Sequence, residues 1–146
     1  MSFKASTIGR TIVSVVAVLL IVDGILQLAS PPPMVEALIH VGYPADAGPR
    51  LAAVTLSCAI LLIVPRTSVI GAILTTAFLG GAISAHFRLG DVGTQAQVIG
   101  LLLGLATWGG LALADPRARL IFSLSVPQPR EKNVTDGARR PISPVR

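Results

Sequence analysis

From Thr11 to Ala29 the chain reads TIVSVVAVLLIVDGILQLA, with Asp23 as its single charge. A helix of about 19 residues rises about 28 Å, close to the thickness of a bilayer's hydrocarbon core. In lipid such a run can satisfy its backbone only internally, so it reads as a membrane-spanning helix. Three more apolar runs follow. LAAVTLSCAILLIV, from Leu51 to Val64, is only about 14 residues and needs the preceding Ala45 to Arg50 turn at the headgroup level, or local thinning of the bilayer, to cross. Pro65 and Arg66 break the chain before SVIGAILTTAFLGGAISAHF (Ser68–Phe87), and AQVIGLLLGLATWGGLALA (Ala96–Ala114) completes the series. The expected fold is therefore an all-α membrane protein, a four-helix transmembrane bundle with spans at about 11–29, 47–64, 68–87 and 96–114. Composition agrees: 52% of residues are hydrophobic and 13% charged, against about 25% charged in soluble domains, which excludes a water-soluble globule. The only cysteine, Cys58, excludes an intrachain disulfide framework and a CxxC dithiol centre.

The basic residues orient the spans. Lys4, Arg10, Arg66, Arg117, Arg119, Arg130, Lys132, Arg139, Arg140 and Arg146 fall on one side of the four-span scheme, and Arg50 and Arg88 on the other. Positive charge stays cytoplasmic, so both termini are expected there, in a bacterial cytoplasmic membrane. Residues 1–10 form a cytoplasmic stub, and 115–146, rich in Pro and Arg, a disordered basic tail suited to anionic lipid. The net charge of +5 arises mainly from this tail and calls for no nucleic-acid partner. A competing reading takes the first apolar run as a cleaved signal peptide; the length of the run, Asp23 within it and the Pro31-Pro32-Pro33 that cleavage would expose weigh against it.

Ionisable groups inside a span are expensive and so mark candidate function. With spans one and three both running outward, Asp23 falls about two turns from the outer end of its helix and His86 at the outer end of its own. Gln27 shares a face with Asp23 at i+4, and Thr55 lies at similar depth on span two. One outer polar cluster of Asp23, Gln27, Thr55 and His86, with Arg88 at its mouth, is the expected site. On span three, Ser68, Gly71, Thr75, Leu79, Ala82 and His86 form one stripe, with Ala77, Gly80, Gly81 and Ser84 roughly opposite. Both sides are small, so packing on two faces is expected, with Gly100-x-x-x-Gly104 on span four as a further close-approach surface. Between spans one and two, residues 34–41 read as an amphipathic outer helix that puts Glu36 and His40 on one edge and stops at Gly42-Tyr43-Pro44. Trp108 reads as a packing or interface anchor, and Cys58 as an inert small hydrophobe. With only His40 and His86 in the chain, no metal cage is expected.

The blocks PPPMVEALIHVGYP, LIVPRTSVIGAIL, TTAFLGGAISAHFRLGD and WGGLALADPRAR resemble the successive blocks of the DoxX-like small membrane proteins of bacteria, over about Asp23–Arg119. The resemblance implies a four-helix membrane bundle in a superfamily that includes subunits of thiosulfate:quinone oxidoreductase, and it puts Asp23, Glu36, His86 and Arg88 at recurrent polar positions. The sequence departs from the family pattern where Gln27 replaces a basic residue and Thr55 an acidic one. The expected function is an accessory subunit of a quinone- or redox-linked membrane complex, not an enzyme on its own. Quinone is the cofactor that would fit, and redox proteins or further copies of the chain are the partners. The alternative is a small proton-coupled exporter using Asp23, which the poverty of aromatic residues, 4%, disfavours.

Overall fold

A computed structural model describes residues 3–115 and Ala118, and every regular element among the described residues is helical. The first helix, α1, spans Phe3–Ala29 and is followed by the short α2 at Pro32–His40. Three further helices complete the fold: α3 at Gly48–Ile63, α4 at Ser68–Arg88 and α5 at Gln95–Ala114. Residues 3–10, read from sequence as a stub, continue the first helix instead. No proline interrupts them, and Gly9, the one weak helix former, is held against α5. The expected tail lies outside the described residues apart from Asp115 and Ala118.

The element ends follow local chemistry. Ser30 closes α1 in the left-handed region at φ 47°, its hydroxyl donating to the Gln27 carbonyl at 2.8 Å, and Pro31 leaves extended. Prolines at the first positions of α2 suit a turn whose amides have no helical partner. At the start of α5, Thr94 and Gln97 form a capping box, the side chain of each accepting from the other's backbone N–H.

α1 packs against α3 and α5, and α4 against the same two helices, so α1 and α4 stand across the ring from each other. Val16, Ala17, Leu20, Ala59, Leu62, Ala72 and Leu111 fill its core. α1 and α5 approach most closely at Gly9, where a Cβ would stand 2.5 Å from the Ala114 nitrogen and 2.6 Å from the Gly110 carbonyl oxygen. Of the pair singled out in the sequence, a Cβ on Gly100 would meet Ile83 at 3.5 Å, whereas one on Gly104 would meet nothing within 4 Å among the described residues. Ser68, Gly71, Thr75 and Leu79 of α4 are buried as the stripe predicts, whereas Ala82, further along it, is exposed. The opposite side of α4 is unpartnered among the described residues: nothing lies within 4 Å of a Cβ built on Gly80 or Gly81. Trp108 of α5 bonds across to α4, its indole N–H donating to Thr76 Oγ1 at 2.9 Å.

Three helices, α1, α4 and α5, are long and apolar enough to cross a membrane. α3, with 16 residues, is shorter; it rises about 24 Å.

Candidate functional site

The candidate polar residues sort into two groups. The first joins α1 to α3. Asp23 and Gln27 stand one helical turn apart, and the Gln27 amide donates to the Asp23 carboxylate and, at 3.4 Å, to Thr55 Oγ1. Thr55 in turn donates to the Leu51 carbonyl at 3.0 Å. Thr55 is fully buried and Gln27 nearly so, while Asp23 is half-buried. Among the described residues, the amide oxygen of Gln27 is buried without a hydrogen-bond partner, as is the hydroxyl of Thr75 on α4. Gly48 at the start of α3 permits the approach, because a Cβ there would lie 2.5 Å from both the Gln27 carbonyl oxygen and Ser30 Oγ.

The second group sits where α2 meets the end of α4. His40 Nε2–H donates to Asp91 Oδ2 at 2.8 Å, and His86 Nδ1–H reaches the same oxygen at 3.4 Å. Three elements therefore converge on one carboxylate. His86 lies in the last turn of α4, His40 ends α2, and Asp91 belongs to the α4–α5 connection. That connection folds back on α4: the Asp91 N–H donates to the His86 carbonyl at 3.2 Å, and Gln97 Nε2 donates to the Asp91 carbonyl at 2.8 Å. Hydrogen bonds from His40 first and His86 second hold the Asp91 carboxyl below the usual carboxylate range.

Beside this group, Arg88 Nη2 donates to the Val41 carbonyl at 3.1 Å. The guanidinium lies over Gly42, whose φ of +86° and missing side chain make room for it. A cleft of about 370 Å³ opens there, with Arg88, Ser84 and Tyr43 as its polar walls and Gly42, Gly81 and Ala85 as its small ones. A second, apolar groove of about 400 Å³ lies between α3 and α4, reaching Cys58 at its base and Ala77 on its rim.

Among the described residues, no hydrogen bond or ion pair joins Asp23, Gln27 or Thr55 to His86 or Arg88. Glu36 is exposed on α2 and has no polar partner among the described residues, since His40, one turn on, turns to Asp91. Sequence reasoning passed over Asp91 and gave His40 no role. The Thr94-x-x-Gln97 capping pattern was the available sign that the α4–α5 connection is ordered, because Gln97 also anchors Asp91.

No curated protein and no solved structure matches the chain. The family model of the DoxX-like family matches residues 11–112, covering both polar groups. This chain therefore belongs to the DoxX-like family and is a multi-pass helical membrane protein.

Proposed function

We propose that the chain is an accessory subunit of a redox-linked membrane complex and binds the head of a quinone at the cleft beside Arg88. The observation that carries this reading is the Asp91 carboxylate shared by two imidazoles next to that cleft. A quinone, when bound, supplies two-electron, two-proton chemistry, with the electrons exchanged with a partner redox protein. The donor set fits such a head. Arg88, Tyr43 and Ser84 present N–H and O–H groups to ring carbonyls, and the volume is that of a small-molecule site. The exporter reading rests on Asp23 alone; Gln27 already engages that carboxylate, and neither cleft reaches it.

The reading includes four crossings, with both termini on the cytoplasmic side of a bacterial membrane. In its support, the start of α3 touches the end of α1 at Gln27 and Ser30, and its last residues meet the first turn of α4 at Gly71. α3 thus carries the chain from one end of the ring to the other.

Titration of the purified protein with a water-soluble ubiquinone analogue tests the function. His86→Ala and Arg88→Ala should each weaken binding about tenfold, equivalent to about 1.4 kcal/mol. Asp23→Asn, in the separate α1–α3 group, should leave it in place. Saturable binding that is the same in all three variants, or absent from the native protein, sinks the reading.

A further inference from the structure

We propose that the apolar tail of this ligand lies along the exposed face of α4, from the cleft at Arg88 to the groove over Cys58. The inference rests on the quinone reading and names the part of the ligand that the head cleft does not hold.

The α4 residues that line the two clefts form one stripe. Leu74, Ala77 and Phe78 border the apolar groove, while Gly81, Ser84 and Arg88 border the polar cleft. At 100° per residue these positions stay within an arc of about 120°, so both clefts open on the same side of the helix. From Leu74 to Arg88 the stripe rises about 21 Å, some two thirds of a hydrocarbon core. It is polar at the helix end, where a membrane's interface would lie, and apolar toward the helix middle. That gradient matches a ligand with one polar ring and one long hydrocarbon chain.

Where the two clefts approach each other the track is bare among the described residues. A Cβ on Gly81, at the edge of the polar cleft, would meet nothing within 4 Å, and Ala77, at the edge of the groove, adds only a methyl group. The groove is flanked by exposed Val54 on α3 and exposed Leu74 on α4. A single chain between these walls gains van der Waals contact that surrounding lipid makes less closely against a ridged helix surface. The polar cleft, about 370 Å³, suits one ring and favours the quinone over a phospholipid with its larger head and two tails.

The test uses the full chain in lipid nanodiscs and a long-tailed ubiquinone carrying a photoreactive group midway along its tail. Adducts should concentrate on Ala53–Cys58 and Leu74–Phe78, and the water-soluble, tail-less analogue should displace them. Ala77→Phe, in the apolar groove and outside the head cleft, should cut these adducts at least fivefold while tail-less binding stays native. Ala53→Phe, on the facing wall of the groove, serves as the second blocking variant, and size-exclusion chromatography confirms that each variant remains folded. Displaceable adducts scattered over α1 and α5, or unchanged by both variants, overturn the tail track while the head site stands. Absence of saturable binding by the tail-less analogue overturns the head site itself. A shift of either variant to a smaller assembly would mark the stripe as a contact between copies and also overturn the proposal.

Discussion

Gly42 and Arg88 are fitted to each other across the gap between α2 and α4. A Cβ at position 42 would stand 2.8 Å from Arg88 Nη2, the same atom that donates to the Val41 carbonyl at 3.1 Å. Gly42→Ala should cost about 1–3 kcal/mol, mostly from the positive φ, and should also displace the guanidinium. In a double-mutant cycle, Arg88→Ala should remove only the contact part of that cost. Thermal unfolding in detergent reads both; an unchanged midpoint for Gly42→Ala would show that the turn does not hold this conformation.

Asp91 makes the α2 end of the ring sensitive to acid. Its carboxyl titrates below the ordinary value, so its stabilising contribution is complete above the unfolded-chain pKa of about 3.9. The contribution is lost as pH falls through the lowered native value. Comparison of unfolding midpoints for native protein and Asp91→Asn should give a gap that is present above about pH 4 and closes below it. A gap that instead widens below about pH 4 would contradict the assigned sign.

The glycines of the α1–α5 contact should differ in cost. A methyl at Gly9 meets backbone, the Ala114 nitrogen and the Gly110 carbonyl, whereas one at Gly110 meets Ile12 Cγ2 at 2.9 Å, the end of a side chain. Gly9→Ala should destabilise by about 1–3 kcal/mol, and Gly110→Ala by less because the atoms it meets belong to the side chains of Ile12 and Val13 and not to backbone. At Gly104, where a Cβ meets nothing, alanine should be neutral or gain up to about 1 kcal/mol. Equal midpoints for the three variants would contradict the packing described for α1 and α5.

Gln27 should be expensive to remove alone and cheap to remove together with Asp23. Gln27→Leu strips the carboxylate and Thr55 of a shared donor, at a cost of about 1–3 kcal/mol. Asp23→Leu combined with Gln27→Leu removes both polar partners and should recover most of the loss. Unfolding midpoints in one detergent decide the comparison, and a double variant worse than Gln27→Leu would mean that Asp23 has a stabilising partner beyond Gln27.

Topology reporters address the crossing of α3. Fusions at Arg66, Asp91 and Arg130 should read cytoplasmic, periplasmic and cytoplasmic. A periplasmic signal at Arg66 would remove the four-crossing reading.

Apolar run length, proline breaks and glycine stops placed the helices in the sequence to within a residue or two, except at the start of α1. α2 was legible as a helix, and the buried stripe of α4 from Ser68 to Leu79 was legible from its period. These properties depend on neighbours one helical turn apart, so local order carries them. The Asp23–Gln27 pair was legible for the same reason, being an i, i+4 contact.

Which helices become neighbours is a different kind of information. The sequence placed Asp23 and His86 at similar depth, but depth is one coordinate and the ring supplies the other: α1 and α4 stand opposite, each in contact with α3 and α5. Only that arrangement links Asp23, through Gln27, to Thr55 on α3 and turns His86 to Asp91, a residue five positions away whose loop must fold back to reach it. His40 joins the same carboxylate from a sequence distance of 51, a contact set by how α2 lies across the helix ends and by no period within the chain. Close approach is decided in the same way, since Gly9 and Gly104 are alike as residues but only Gly9 faces another backbone.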